Sequence, residues 1–189
     1  AAQWAGEELV FVDETNTATN FARRYGRAPR GERARAQVPR NYKQRTSLVA
    51  ALTPAGMGAA MTVPGAVDQA AFEAYIAQVL VPTLTPGQRV IMDNLSVHKS
   101  RRVEAAIEEA DCILTFLPTY SPDYNPIELA FAKFKEGLRA TAARTQEALD
   151  QAISDGLDAI RSADAQAWYR HCGYALARRG SHAAYIGPL

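Results

Sequence analysis

Two short apolar runs, each ending in an aspartate, constrain the fold of this chain most strongly. Residues 9–12 (LVFV) precede Asp13, and residues 89–92 (RVIM) precede Asp93. Apolar runs of this length predict buried strands. If the two strands are parallel neighbours, their carboxyl ends meet at one sheet edge, where ligands gather in α/β folds. Two carboxylates held this close repel one another unless a cation neutralises them, and oxygen ligands favour a hard ion such as Mg²⁺ or Mn²⁺. The alternative is that each aspartate is only a turn residue after its strand.

The remaining pattern predicts an α/β protein. Residues 45–52 and 58–63 read as two strands, and the turn residues 53–56 (TPAG) between them predict a hairpin. The other predicted elements are a strand at 112–117 and helices at 68–80, 100–110, 126–143 and 145–161, the first two capped by Asp68 and Ser100. This order predicts a mixed sheet flanked by helices on both faces.

Charge is distributed unevenly along the chain. The formal net charge is only +1, yet residues 23–45 hold nine basic residues against one acid, Glu32, so this segment carries +8 and the rest −7. Most of this positive charge lies in a long polar loop predicted at residues 16–41, called the excursion below, which contains Pro29, Gly31 and Pro39. A basic stripe on an acidic body favours a nucleic-acid partner. The alternative is a solvated flexible loop.

Length and composition exclude other classes. With 189 residues and 48% hydrophobic content, the chain has enough apolar material for one core and a small appendage. No apolar run approaches the roughly 20 residues needed to cross a bilayer, and the start lacks the basic segment of a signal peptide. The two cysteines, Cys112 and Cys172, form no CxxC pattern. We therefore expect an intracellular protein with reduced thiols, of which Cys112 belongs to the core.

A third acid, Glu128, follows a proline-rich loop. Asn125 is suited to cap the helix that starts at Pro126, and Glu128 stands three residues after that cap. One interpretation is a capping box in which Glu128 reaches back to the Asn125 amide. The other is that Glu128 lies over the sheet edge beside the two aspartates.

Specific motifs surround these acids. The runs 90–98 (VIMDNLSVH) and 117–128 (LPTYSPDYNPIE) resemble the signature of the Tc/mariner superfamily of DDE transposases, and most closely its bacterial insertion-sequence branch. Residues 11–15 (FVDET) match the first acidic motif, and the 34 residues between Asp93 and Glu128 are typical of that branch. The tail at 168–174 (WYRHCGY) is also similar to it.

The resemblance implies a ribonuclease-H-like domain in which Asp13, Asp93 and Glu128 are the catalytic residues and bind two divalent ions, Mg²⁺ or Mn²⁺. It implies DNA strand cleavage and strand transfer by two-metal in-line displacement. The implied partners are double-stranded DNA, as transposon ends and target, and a second copy of the chain when assembled on DNA. The implied location is the bacterial cytoplasm, at the nucleoid.

We expect residues 1–165 to form the catalytic domain, with 16–41 as a basic insertion loop, and 166–189 to form a tail packed on it or extending from it. The helix-turn-helix domains that recognise transposon ends in this family are expected to lie outside this chain. Two other functions stay open: another ribonuclease-H-like nuclease, and a non-catalytic DNA-binding protein derived from a transposase.

The candidate DNA contacts are basic or lie near the second acid. They are Arg23, Arg24, Arg27, Arg30, Arg33, Arg35, Asn94, His98, Lys133 and Lys135. For two of these the sequence leaves alternatives. Asn94 and His98 either touch the scissile phosphate or orient Asp93, or else Asn94 fixes a turn and His98 is a surface residue.

Overall fold

A computed structural model describes residues 6–39, 45–95, 98–119 and 121–176. Five strands form one sheet: β1 (Leu9–Ala18), β2 (Arg45–Thr53), β3 (Gly56–Pro64), β4 (Arg89–Met92) and β5 (Ile113–Phe116). Their order across the sheet is β3-β2-β1-β4-β5. The pairs β1–β2 and β2–β3 are antiparallel, whereas β1–β4 and β4–β5 are parallel. The predicted mixed sheet and its hairpin are therefore confirmed.

Five α-helices accompany the sheet: α1 (Gln69–Tyr75), α2 (Arg101–Glu108), α3 (Pro126–Thr141), α4 (Gln146–Asp158) and α5 (Ser162–His171). The end of α1 continues as a π-helical turn and a 3₁₀ turn. Asp68 caps α1 by accepting a hydrogen bond from the Ala71 amide, and Ser100 caps α2 by accepting one from the Arg102 amide. Both caps agree with the sequence prediction.

The side chains of β1 alternate between two hydrophobic cores, as the pleat of a strand requires. Leu9 and Phe11 pack on one face of the sheet with residues of α3, α4 and α5. Val10 and Val12 pack on the other face with residues of α1 and α2. Helices thus cover both faces, and the central strand is buried between them.

Two boundaries differ from the prediction. The strand β1 continues to Ala18, so the excursion begins near residue 19 and not at 16. The polar run after Asp13 resembles a loop in sequence, but Thr15 and Thr17 are buried because antiparallel pairing with β2 holds this half of the strand. The sequence pattern does not predict helix α5, and the expected division at residue 165 falls within it. The described residues do not include Arg40 and Lys43, two of the nine basic residues in 23–45. They also do not include Tyr120 in the proline-rich loop or the basic pair Arg178 and Arg179.

The two cysteines are buried free thiols, as expected. In the described part of the chain, no helix combines the length and the hydrophobicity needed to cross a bilayer.

Helix α5 is fastened to the sheet through Tyr169. This side chain is fully buried, and its hydroxyl donates to the carbonyl oxygens of Leu9 at 2.8 Å and Leu52 at 2.9 Å. Its ring packs edge-on against Phe11, with the ring centroids 5.3 Å apart. The start of the tail is therefore part of the core.

Replacing Tyr169 with phenylalanine tests this attachment. The ring still fills its site, but two buried carbonyl oxygens lose a hydrogen-bond donor, which costs about 1–3 kcal/mol of unfolding free energy. For a chain of this size the melting temperature should fall by roughly 2–4 °C per kcal/mol. Tyr25→Phe is the matched control because Tyr25 is 89% exposed. Equal melting temperatures for wild type and Tyr169→Phe would contradict this role.

Candidate active site

The parallel pairing of β1 and β4 places the first two acids side by side. The pairs are Leu9 with Arg89, Val10 with Val90 and Phe11 with Ile91, so the same register carried two residues further brings Asp13 level with Asp93. Asp93 directly follows the last residue of β4, as predicted. Asp13 lies within β1 and not at its end, because β1 continues along β2 after leaving β4.

Asp13 is half-buried, and both of its carboxylate oxygens accept hydrogen bonds. Oδ1 accepts from the backbone amide of Glu14 at 2.7 Å, and Oδ2 accepts from Nδ2 of Asn125 at 3.1 Å. Burial raises the pKa of Asp13 to about 6, and the negative charges of Asp93 and Glu128 push it in the same direction. The site therefore disfavours an ionised Asp13 when no cation is present.

Asp93 is held by different partners. Its Oδ1 lies 2.7 Å from Nδ1 of His98 and accepts the Leu95 amide at 3.2 Å. Burial would raise the pKa of Asp93, but these hydrogen bonds outweigh it and hold the pKa below its ordinary value. Its Oδ2 accepts no hydrogen bond from any residue that the structure describes.

His98 is fully buried, so its interpretation as a surface residue is wrong. The second ring nitrogen, Nε2, lies 3.3 Å from Oε1 of Glu14. Burial lowers the pKa of His98, but the hydrogen bonds to Asp93 and Glu14 prevail and raise it to about 9. Both ring nitrogens face carboxylates and the ring is enclosed, so the geometry favours the interpretation in which His98 orients Asp93.

Glu128 stands in the first turn of α3 and is exposed. The capping box is not formed, because the Asn125 amide donates to the Pro122 carbonyl at 2.9 Å and the Asn125 side chain donates to Asp13. Among the described residues the Glu128 carboxylate has no hydrogen-bond or ion-pair partner. The structure therefore leaves this carboxylate available for a ligand.

The three acids line one cleft of about 870 Å³. Four basic side chains share it: Arg23, Arg24, Lys135 and Arg139. The pKa of Lys135 is lowered, chiefly by burial and then by the nearby charge of Arg139. Basic side chains and carboxylates thus line the same cleft, and this arrangement suits a phosphate group bound next to a metal ion.

The predicted DNA contacts divide into two groups. Arg23, Arg24 and Lys135 line the cleft. The exposed arginines further along the excursion, Arg27, Arg30, Arg33 and Arg35, are not among its lining residues. Lys133 pairs with Asp164 at 2.7 Å, and Asn94 donates to the Thr119 hydroxyl at 3.2 Å.

Local sequence rules assign Asn125 to the wrong partner and omit Tyr25 from the site. They predict that Asn125 caps helix α3. An asparagine at this position can equally donate to an acid on a neighbouring strand, as Asn125 does to Asp13. Tyr25 is 89% exposed and lines the cleft next to Arg24. Tyr25 lies among arginines in the sequence, and an aromatic residue in a basic segment was the signal that could have indicated a place in the site.

The donor set fits a hard divalent cation, since Asp13, Asp93 and Glu128 border one cleft together with Glu14 and Glu136. Ionised Asp13 is disfavoured first by burial and then by the charges of Asp93 and Glu128. In the described segments, however, no group of three or more His, Cys, Asp or Glu side chains is close enough to share one ion. Binding of one ion by all three acids would require their side chains to move closer together.

This topology, with acids level with one another on the neighbouring central strands β1 and β4, is that of the ribonuclease-H-like fold. The sequence model of one family, described as DDE superfamily endonuclease, matches residues 8–150. The chain belongs to this family. No curated protein matches the sequence.

Solved structures of Mos1 transposase share the fold. The Mos1 mariner paired-end complex with Mn superposes with a TM-score of 0.73 at 17% identity and covers 88% of this chain and 53% of that chain. The Mos1 strand transfer complex superposes with a TM-score of 0.68 at 16% identity, and the match covers 88% of this chain and 52% of that chain. The Mos1 catalytic domain with Raltegravir and Mg superposes with a TM-score of 0.64 at 16% identity, and the match covers 88% of this chain and 77% of that chain. At this identity the likeness shows the fold alone, and the chain spans about half the length of the Mos1 chains in the complexes.

Replacing Asp13 with asparagine tests the electrostatics of the metal-free site. Its pKa is raised from 3.8 to about 6 in the folded protein, so the folded state binds the proton more tightly. The extra stability that protonated Asp13 gives to the folded state is fully present below about pH 4 and is lost as the pH rises through about 6. In EDTA at pH 8, Asp13→Asn should therefore be more stable than wild type, by at most on the order of 3 kcal/mol.

The difference should shrink as the pH falls towards 4, and thermal unfolding across pH 4–8 measures it. Asp158→Asn, an exposed acid on α4, is the control and should follow wild type throughout. If the curves of wild type and Asp13→Asn run parallel from pH 4 to 8, Asp13 ionises in the folded protein without penalty.

Proposed function

We propose that this chain is the catalytic domain of a DNA transposase that cleaves DNA strands and transfers a cut end to a new site during movement of an insertion sequence. The observation that carries the proposal is the single cleft shared by Asp13, Asp93 and Glu128 with four basic side chains. Membership of the DDE endonuclease family supports it. The Mos1 structures, which include paired-end and strand transfer complexes, support the same substrate class.

Asp13, Asp93 and Glu128 would hold two divalent ions, Mg²⁺ or Mn²⁺. The Mos1 structures with Mg and with Mn support this choice of metal. When bound, such ions lower the pKa of an attacking water or hydroxyl and stabilise the negative charge on the leaving oxygen. The unpartnered Oδ2 of Asp93 and the free carboxylate of Glu128 are the oxygens best placed to serve as ligands, because neither is committed to a described neighbour.

The basic side chains of the cleft would bind the phosphates on either side of the scissile bond. Lys135 is close enough to Asp13, Arg139 and Arg24 for their charges to affect its pKa. A phosphate placed between these groups is attracted by three cations while its reacting face stays beside the acids. Orientation in this way contributes to catalysis because the attacking oxygen and the phosphorus are brought into line before reaction.

The basic excursion would extend the DNA contact and contribute to a dimer assembled on DNA, at the nucleoid in the bacterial cytoplasm. Residues 23–39 are exposed throughout. The base of the excursion is anchored, since the Arg144 guanidinium donates to the carbonyl oxygens of Thr19 and Phe21 at 2.9 and 2.8 Å. An exposed basic loop on a fixed base is suited to reach DNA or a second copy.

Glu128→Gln tests the catalytic assignment. The neutral amide keeps the shape of the side chain but loses the charge that attracts a cation, so metal-dependent nicking of a supercoiled plasmid should fall by at least about 100-fold. The metal-free melting temperature should stay within about 1–2 °C of wild type, because Glu128 forms no helix cap. Nicking in Mn²⁺ and unfolding in EDTA are measured on the same preparation.

The matched control is Glu104→Gln, the same change in the first turn of α2 and outside the cleft. It should leave nicking and stability unchanged. Near-normal nicking by Glu128→Gln would remove Glu128 from the catalytic set. DNA binding by a wild-type protein that neither nicks DNA nor binds Mn²⁺ would instead favour the non-catalytic DNA-binding protein.

Arg23→Gln with Arg24→Gln tests the DNA path. Removing one phosphate-binding cation should reduce the slope of log K against log salt by roughly 0.9 on duplex DNA. We expect this double variant to bind DNA more weakly and with a flatter slope than Arg30→Gln with Arg33→Gln, whose residues do not line the cleft. Binding to a fluorescent duplex at several salt concentrations measures both. Equal effects of the two double variants would place the DNA across the whole excursion.

A further inference from the structure

His98 occupies a position that packing alone does not explain. The side chain is fully buried, and its ring lies against Phe72 with centroids 4.3 Å apart and planes inclined by 31°. An apolar ring could make the same contact with Phe72, so packing does not require the two ring nitrogens. Burying a polar ring is unfavourable unless its nitrogens are hydrogen-bonded. The contacts of the two nitrogens therefore indicate what the residue does.

Both nitrogens face carboxylates of the candidate active site. Nδ1 lies 2.7 Å from Oδ1 of Asp93, and Nε2 lies 3.3 Å from Oε1 of Glu14. Glu14 belongs to β1, next to Asp13, whereas Asp93 follows β4. The imidazole ring thus links the two central strands at the level of their acids.

We infer that Glu14 and His98 form a positioning pair that fixes the Asp93 carboxylate with Oδ2 directed to a divalent cation. Oδ1 of Asp93 is committed to His98 and to the Leu95 amide, which leaves Oδ2 as the uncommitted oxygen. Glu14 orients the imidazole from its other side. The inference rests on the proposed function, because it assumes that Asp93 is a metal ligand.

Glu14 lines the same cleft as Asp13 and Asp93, but in this scheme Glu14 and His98 act through the Asp93 carboxylate, so they are positioning residues. Partners that hold a ligating carboxylate or imidazole typically change metal affinity by about 10–100-fold when they are replaced. A residue that only fills the core changes stability and leaves the affinity of the folded protein for metal as it was. Metal affinity therefore separates the two roles.

The decisive variant is His98→Phe, which keeps a ring against Phe72 and removes both hydrogen bonds. Asp93 and Glu14 keep side-chain exposures of 36% and 23%, so water can solvate them and the variant is expected to fold. We expect Mn²⁺, titrated into metal-free protein and followed by calorimetry, to bind about 10–100-fold more weakly. His98→Asn can still donate to Asp93 and should recover part of the affinity.

Glu14→Gln gives a second route to the same result if His98→Phe does not fold. It should weaken Mn²⁺ binding less than His98→Phe, and it should add nothing further when combined with His98→Phe, since Glu14 acts only through the ring. His171→Phe, an exposed histidine in the last turn of α5, is the control and should leave Mn²⁺ affinity unchanged.

Wild-type Mn²⁺ affinity in a folded His98→Phe, or in Glu14→Gln, would overturn the inference. Failure of the proposed function looks different. If wild type binds no Mn²⁺, or if Asp93→Asn binds it as well as wild type does, the metal assignment itself is wrong and the inference falls with it. If wild type binds, Asp93→Asn does not, and His98→Phe equals wild type, only the positioning role is wrong.

Discussion

The parallel pairing of β1 with β4 is the constraint on which the rest of this site depends. It sets Asp13, midway along β1, level with Asp93, which directly follows β4, and their charges repel. Burial of β1 between two hydrophobic cores fixes this register, since a slip of one residue would turn Leu9 and Phe11 to the opposite face. Packing energy therefore maintains an arrangement that electrostatics alone opposes.

The protein accommodates the two charges in different ways. Asp13 receives neutral donors, the Glu14 amide and the Asn125 side chain, but burial outweighs the Glu14 hydrogen bond and raises the pKa of Asp13. Asp93 receives an imidazole from His98, and its pKa falls. The site is thus asymmetric before any ligand arrives, with Asp93 the acid more readily ionised. A divalent cation would remove the penalty on Asp13, so metal binding and stability are coupled here.

The sequence allowed most of the fold to be predicted, because its signals are local. The apolar run of β1, the TPAG turn and the caps Asp68 and Ser100 act within a few residues. The contacts that complete the site were less accessible. Asn125 is a sound helix cap by local rules, yet it donates to Asp13, which lies 112 residues away. His98 and Glu14 are 84 residues apart. Such pairs depend on the tertiary fold, which local patterns do not encode.

The position of the third acid depends on still more distant contacts. Tyr174 donates its hydroxyl to the Tyr124 carbonyl at 2.7 Å, one residue before Asn125 and four before Glu128. Just beyond Tyr174, the Ala175 carbonyl accepts the Gly6 amide at 2.7 Å, ahead of β1. A Cβ on Gly6 would lie only 2.6 Å from that carbonyl oxygen, so the close approach requires glycine. The segment after α5 therefore joins the entry of β1 to the loop that precedes α3 and Glu128. Asp13 and Glu128 are placed relative to one another by the far end of the chain as well as by the sheet.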